Sequence, residues 1–171
     1  MSPVVLSWEV RIGNPENPDY RIMAIEFSGG FDDHSPETRQ EAEIAIHDIL
    51  AGNLFRPRNS TGGPYRLMLA RGEYGLSFEI SLADGRPHGR LLLSLTPFRR
   101  VLREYDALCR SYHSAVRESH LARLEAVDNG RRSLHDEGAQ LVIERLKGRI
   151  ELDFATARRL FTLVSALCSK P

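Results

Sequence analysis

The chain has too few cysteines to build a disulfide framework or a thiolate metal site. Only Cys109 and Cys168 occur in 171 residues, and they do not form a Cys-x-x-Cys pair. Each lies in an apolar helical pattern, which predicts two buried, reduced thiols in a cytoplasmic protein. The six histidines are scattered and show no His-x-x-x-His spacing. We therefore expect no metal and no other cofactor.

Long apolar runs and familiar catalytic motifs are missing as well. No segment approaches the ~18 apolar residues of a membrane span. The N-terminus lacks the basic segment and apolar core of a secretory signal. A glycine-rich phosphate loop and a Gly-x-Ser-x-Gly nucleophile motif are both absent. These absences predict a cytoplasmic location and no membrane partner, and they leave the question of enzymatic activity open.

The chain has no net charge and almost no lysine, because only Lys147 and Lys170 occur among its 23 basic residues. Net neutrality makes nucleic acid an unfavourable partner. The charge is nevertheless uneven. Residues 1–95 contain 9 basic and 13 acidic side chains, whereas residues 96–171 contain 14 and 10. Either an acidic half packs against a basic half, or the arginines bind carboxylates or phosphates.

Alternating apolar residues predict strands in the first half of the chain. They occur at 4–12, 20–27, 65–69, 74–82 and 91–95, with turn residues between the later runs. The first two runs are compatible with a hairpin, and segment 55–64 is predicted to be a loop. The last three runs form an antiparallel meander with one apolar face, which needs a cover.

Helix signals dominate the second half. Ser35-Pro36 and Thr96-Pro97 each combine an N-cap residue with proline at the first helical position. Ser119 and Asp153 are further candidate N-caps, and Gly148 is a stop signal. Segment 120–147 is either one closely packed helix, with Gly130 at a helix contact, or two helices with a break at residues 128–130. We favour the single helix.

These patterns predict an α+β fold: an antiparallel sheet of three to five strands covered by a C-terminal helical layer. Residues 1–171 are expected to form a single domain. Within it, residues 1–19 are a candidate N-terminal extension. Residues 20–95 are rich in strands and contain one helix, at 35–51. Residues 96–171 are helical.

Arg131 is the most unusual residue of the helical half. It falls between Val127 and Leu134 on an apolar stripe, so its guanidinium should point toward the core or a groove. A buried charge must be paired or hydrogen-bonded, because an unpaired one costs several kcal/mol. Arg131 therefore either binds an anionic ligand or forms a structural ion pair with an acid of the first half, such as Glu79.

Pairs of adjacent arginines recur once on each C-terminal helix, at Arg99-Arg100, Arg131-Arg132 and Arg158-Arg159. Consecutive helical residues lie about 100° apart, so one member of each pair can line a shared anion site. Ordinary solvated helix faces are the alternative. His135 is a weak candidate for a general base oriented by Asp128 or Glu137, and a solvated or capping histidine is the alternative there.

Four stretches carry a resemblance to a known family: Gly63-Pro-Tyr-Arg-Leu67, Leu93-Ser-Leu-Thr-Pro-Phe-Arg99, Gly130-Arg-Arg-Ser-Leu-His-Asp-Glu-Gly138 and Ile150-Glu-Leu-Asp-Phe-Ala-Thr-Ala-Arg-Arg-Leu-Phe-Thr-Leu163. They resemble an uncharacterised alphaproteobacterial protein family of about this length, over residues 20–168. The resemblance implies a cytoplasmic bacterial protein and supplies no activity or catalytic residue. Ser133 and Asp136 stand where the family pattern has Gly and Asn, which weakens a catalytic role for Asp136.

The sequence leaves the function unknown. Our leading prediction is a non-enzymatic binding or regulatory module. Its candidate ligand-binding residues are Arg131, Arg132, His135, Arg158 and Arg159, lining an anion-binding groove. The partner would be a protein or a small anionic ligand, and self-association stays open. The alternative is a small hydrolase or transferase that acts on an anionic metabolite with His135 as general base.

Overall fold

The computed structural model describes residues 19–29 and 33–169. Within these residues, the chain forms six strands, four α-helices and a short 3₁₀ turn at Thr96–Phe98. The strands are β1 (Ile22–Phe27), β2 (Phe55–Pro57), β3 (Tyr65–Arg71), β4 (Gly75–Leu82), β5 (Pro87–Ser94) and β6 (Ile150–Leu152). The helices are α1 (Pro36–Ala51), α2 (Arg99–Arg117), α3 (Leu121–Leu146) and α4 (Phe154–Cys168). The α+β class is as predicted.

The main sheet has four strands in the order β1-β3-β4-β5. Strands β3, β4 and β5 form the predicted antiparallel meander. Strand β1 runs parallel to β3, so the sheet is mixed. Parallel neighbours require a long crossover, and α1 lies between these two strands in the chain. The strand predicted at 4–12, and its hairpin with β1, lie outside the described residues.

A second, two-stranded sheet joins distant parts of the chain, because β2 pairs antiparallel with β6. The prediction of a loop over residues 55–64 was therefore wrong at its first three residues. Phe55 and Ile150 are buried at this pairing. A three-residue strand is too short to show alternation, so the pattern could not reveal it.

Two of the four predicted N-caps are confirmed. The Ser35 hydroxyl accepts from the Thr38 amide, 3.1 Å away, and the Asp153 carboxylate accepts from the Thr156 amide, 2.9 Å away. Two predicted caps were wrong. Thr96 opens a 3₁₀ turn that has no side-chain cap and leads into α2. Ser119 has a left-handed backbone (φ 54°), and His120 caps α3 instead.

Helix α3 is a single helix of 26 residues, as favoured from the sequence. Its two internal glycines lie where neighbouring helices approach. A Cβ at Gly138 would lie 2.4 Å from ring atoms of Phe161 on α4, and one at Gly130 would lie 3.0 Å from a methyl group of Leu108 on α2. Gly138 therefore allows the Phe161 ring to pack directly on the α3 backbone.

One cluster of buried apolar side chains connects the sheet with all four helices. Its largest fully buried members are aromatic: Phe55, Tyr65, Phe78, Phe98 and Phe161. Few ion pairs connect the described parts of the two oppositely charged halves. Of the ion pairs between described residues, only Arg56–Glu151 and Glu41–His113 join residues 1–95 to residues 96–171. None of the described helices is both long and apolar enough to span a membrane.

Candidate functional site

A groove of about 640 Å³ opens between α1, α3 and α4, with Tyr105 of α2 in its wall. Four of the five predicted ligand-binding residues line it: Arg131, His135, Arg158 and Arg159. They come from α3 and α4, so only two of the three helices that carry an adjacent arginine pair contribute arginines to this groove. For brevity, we call this concavity the arginine groove.

Arg131 is held by an aromatic ring. Its guanidinium carbon lies 4.5 Å from the centroid of the Tyr112 ring on α2, within the range of a cation–π contact. Burial opposes its charge, but neighbouring groups, among them Tyr105 and Glu41, raise the pKa of Arg131 overall. Glu79 is not its partner, because that carboxylate is on the exposed face of the sheet and pairs with Arg90 at 3.6 Å.

Arg158 has a carboxylate partner on the neighbouring helix. Its Nε lies 2.8 Å from Oδ1 of Asp136 on α3, and both side chains are partly exposed. Exposed or half-exposed ion pairs contribute about 0–1 kcal/mol, so this pair positions Arg158 more than it stabilises the fold. Part of the positive charge of Arg158 is thereby neutralised inside the protein.

The ring of His135 is fixed through both nitrogens. Nε2 lies 2.8 Å from the Arg158 carbonyl oxygen and 2.6 Å from Thr162 Oγ1. A carbonyl oxygen can only accept, so Nε2 carries the hydrogen and Nδ1 is left as the acceptor. Nδ1 faces the Arg158 guanidinium, whose Nη2 is 3.5 Å away. The neutral ring is thus the form that these contacts favour.

Burial is the main reason that the pKa of His135 lies below its ordinary value, and the positive charge of Arg158 lowers it further. The ring also packs among the aromatic side chains Tyr105 and Phe161, with centroids 5.6 and 5.7 Å away. The prediction that Asp128 or Glu137 orients His135 was wrong, because both carboxylates have other partners. Asp128 pairs with Arg132, and Glu137 pairs with Arg100.

Arg132 lies outside the arginine groove. It points to solvent and pairs with Asp128, one helical turn earlier, at 3.0 Å. The 100° between consecutive helical residues separates it from Arg131. Arg100 pairs with Glu104 and Glu137 on the surface. The predicted convergence of three arginine pairs therefore reduces to Arg131, Arg158 and Arg159.

The remaining wall of the arginine groove was not predicted from the sequence. It combines carboxylates, apolar side chains and a hydroxyl: Glu41, Asp48, Ile44, Ala45, Phe154, Ala155 and Thr162. Thr162 could have been found by spacing, because it lies one turn after Arg158 on the same face of α4. The α1 residues had no such signal, since their approach to α4 is a tertiary contact.

The first turn of α4 lies at one end of the arginine groove. Phe154 and Ala155 line the groove at the first two positions of the helix, after the Asp153 cap. Backbone N–H groups at a helix start favour anions, and here the Asp153 carboxylate already accepts from the Thr156 amide at 2.9 Å. Among the described residues, no three His, Cys, Asp or Glu side chains cluster in a way that could hold a metal ion.

Comparison with known proteins agrees with the predicted resemblance. Residues 19–170 match the profile of an uncharacterised protein family, UPF0262. A UPF0262 protein of Brucella anthropi is 44% identical over 151 residues, which cover 88% of this chain and 94% of that protein. A relative from Rhizobium meliloti is 47% identical over 133 residues, covering 78% and 84% of the two chains. No solved structure matches. The chain belongs to the UPF0262 family.

Proposed function

We propose that the protein is a non-enzymatic cytoplasmic binding module whose arginine groove binds carboxylate or phosphate groups. One observation carries the proposal: Arg131, Arg158 and Arg159, from two helices, line one groove together with the neutral His135. Guanidinium groups bind such anions through paired, charge-assisted hydrogen bonds.

Not every arginine of the groove contributes equally to this proposal. Arg158 already has Asp136 as its partner, at 2.8 Å. Arg131 is stacked on Tyr112, a contact that leaves its N–H donors in the guanidinium plane for other partners. Arg159 has no carboxylate partner among the described residues. Arg131 and Arg159 are therefore the residues expected to contact the ligand.

Calorimetric titration with pyrophosphate and with citrate tests the proposal. Arg159→Ala and Arg131→Ala should each weaken binding about tenfold, the value of one charge-assisted hydrogen bond. Arg132→Ala is the matched control, because Arg132 is on the same helix as Arg131 but is exposed and paired outside the groove. The proposal fails if neither anion binds, or if all three variants behave alike.

An enzyme is the second candidate, and one contact favours it. The Thr162 hydroxyl lies 2.6 Å from His135 Nε2, close enough to pass its proton to that nitrogen once the ring hydrogen has moved from Nε2 to Nδ1. The same hydroxyl lies 3.3 Å from the Arg158 carbonyl, to which it can donate its proton. Hydrolysis of p-nitrophenyl phosphate that is lost in both His135→Gln and Thr162→Val would favour the enzyme over the binding module.

The cytoplasmic setting is part of the proposal. Both cysteines are free in the structure, and burial raises the pKa of Cys109 to about 11, so its thiol stays protonated. Such thiols are typical of a reducing compartment. We also propose that the chain acts as one domain, which the single apolar cluster supports. The partner is a protein or a small anion rather than a nucleic acid or a membrane, and self-association stays open.

A further inference from the structure

The arginine groove continues into two neighbouring concavities. It shares Glu41 and Tyr105 with a second concavity of about 420 Å³ between α1, α2 and α4. The second shares Asp106, Arg110 and Ser165 with a third of about 660 Å³, beside the turn between β3 and β4. We call the three together the α4 surface.

One face of α4 forms the floor of this surface. A central row of α4 residues follows at intervals of three or four, namely Ala155, Arg158, Thr162, Ser165 and Ser169 at its end, and Phe154, Arg159, Ala166 and Cys168 flank that row. Residues at this spacing lie on one face of a helix. The 15 residues of α4 span about 22 Å, at 1.5 Å per residue. An extended peptide of about seven residues covers that length.

Helices α1 and α2 each present a single face to the α4 surface. The contributions from α1 follow the helical repeat: Glu37, Thr38, Glu41, Ile44, Ala45 and Asp48. Those from α2 do the same: Arg99, Leu102, Arg103, Asp106, Cys109, Arg110, His113 and Arg117. Helix α3 adds Arg131, His135 and Asp136 at the arginine groove. All four helices therefore contribute to one elongated surface, which a compact small anion would occupy only in part.

Most carboxylates of the α4 surface are already paired with nearby bases. These pairs join Asp106 to Arg110 at 2.7 Å, Asp136 to Arg158 at 2.8 Å, Asp48 to His47 at 3.4 Å and Glu41 to His113 at 3.8 Å. Several of its arginines have no carboxylate within ion-pair distance in the described part of the chain: Arg99, Arg103, Arg117 and Arg159. Glu37 and Glu73 are the corresponding unpaired acids. Eight arginines face six carboxylates over the whole surface, and arginines without a carboxylate partner are present at both ends.

Exposed apolar and aromatic side chains accompany the arginines at the two ends. Ile44 and Phe154, 53% and 39% exposed, line the arginine groove. Tyr74, 78% exposed, lines the third concavity beside Arg99 and Arg103. Arginine and aromatic residues are enriched in protein interfaces, where lysine is depleted. This composition fits a polypeptide, whose side chains and backbone can use both kinds of contact.

We propose that the α4 surface binds an acidic polypeptide segment of about seven residues, with carboxylates that reach both ends of α4. The inference rests on the proposed function and deepens it, since the arginine groove becomes one end of a longer binding site. At the other end, Arg99 and Arg103 take the role that Arg131 and Arg159 have in the groove. The partner is thereby specified as an acidic stretch of protein.

Capped oligoglutamate peptides of two, four and eight residues test the inference by calorimetric titration of the full chain. Affinity should rise from two residues to eight. Arg159→Gln and Arg103→Gln, at opposite ends, should each weaken the eight-residue peptide about five- to tenfold, as expected for lost charge-assisted hydrogen bonds. Only Arg159→Gln should weaken pyrophosphate. Arg132→Gln should change neither ligand, and far-UV circular dichroism checks that each variant is folded.

Several results would overturn the inference and leave the proposed function intact. One is pyrophosphate binding that needs Arg159 while eight glutamates bind no more tightly than two. Another is an Arg103→Gln variant that behaves like Arg132→Gln. Self-association lost in Arg103→Gln would assign the surface to a second copy of the chain. A twelve-residue oligothymidylate that binds more tightly than the peptide would assign the surface to nucleic acid and would overturn both proposals. The absence of any anion binding would sink both proposals.

Discussion

At the scale of single residues, His135 shows how its surroundings decide what a titratable group can do. Its Nε2–H is held by the Arg158 carbonyl, and its Nδ1 faces the Arg158 guanidinium. The same helix residue thus fixes the ring and opposes its protonation. A histidine in this arrangement suits a neutral wall of an anion groove better than a general base, which needs a free nitrogen and a pKa near the working pH.

The lowered pKa of His135 predicts a pH dependence of stability. In the unfolded chain the imidazole takes up a proton near pH 6.5, whereas in the folded protein it does so only at lower pH. The free energy of unfolding should therefore fall as the pH drops below about 6.5, and this contribution should level off below the folded pKa. Urea unfolding from pH 8 to pH 5 measures it.

His135→Gln is the control for that titration, because an amide can still donate to the Arg158 carbonyl but does not titrate. All other titrating groups are the same in the two proteins, so their contributions cancel in the difference between the two free energies of unfolding. That difference should shrink as the pH falls, because only the wild type loses the His135 contribution. A difference that is independent of pH, or that grows toward acid, would contradict the assigned contacts.

At the scale of elements, much of the fold could be predicted from local sequence, and the failures share a physical cause. The meander, the single α3 helix and the caps at Ser35 and Asp153 rest on periodicity or local hydrogen bonds. The β2–β6 pairing and the parallel β1–β3 pairing depend on contacts between distant segments, which no local pattern specifies. The candidate site divides in the same way. Helix geometry separates Arg131 from Arg132, whereas the approach of α1 to α4 could not be read from either helix.

The contact between α3 and α4 predicts a large difference between two glycine substitutions. Gly138→Ala should lower the free energy of unfolding by about 1–3 kcal/mol, because its Cβ would overlap the ring of Phe161. Gly130→Ala should be nearly neutral or stabilising. Its Cβ meets only the flexible end of Leu108, and alanine favours a helix by about 1 kcal/mol. Urea unfolding of both variants checks the order, and equal effects would contradict this packing.

A second contact joins the residue that precedes β2 to α4. The Leu54 amide donates to the hydroxyl of Thr156, which is fully buried. Thr156→Val keeps the shape but leaves that amide without a partner, so it should cost about 1–3 kcal/mol. Thr156→Ser keeps the hydroxyl and should cost less. If the serine variant is the less stable of the two in urea unfolding, the methyl group rather than the hydrogen bond is what matters.

At the scale of the whole molecule, the apolar cluster and the charge distribution have different roles. The cluster includes side chains from the sheet and from every helix. Between described residues, no arginine of residues 96–171 forms an ion pair with an acid of residues 1–95; the two ion pairs that cross are Arg56–Glu151 and Glu41–His113. The arginines are instead available along the α4 surface, which is why we assign them to binding.

The shared cluster predicts that the sheet and the helices unfold together. Far-UV circular dichroism, which follows the helices, and tyrosine fluorescence should report the same urea midpoint. Tyr65 on β3 and Tyr105 on α2 are both buried in the cluster, so the fluorescence follows both parts. Two separated midpoints would contradict a single cooperative domain and would assign residues 20–95 and 96–171 to separate units.

In the proposed site, Arg131 and Arg159 bind the anion and Arg132 does not. NMR spectra of the arginine Nε–H groups, recorded during a pyrophosphate titration, test this residue by residue. The signals of Arg131 and Arg159 should shift and saturate together, and those of Arg132 and Arg100 should stay in place. Equal, unsaturating shifts of all arginine signals, or no shift at Arg131 and Arg159, would contradict this prediction.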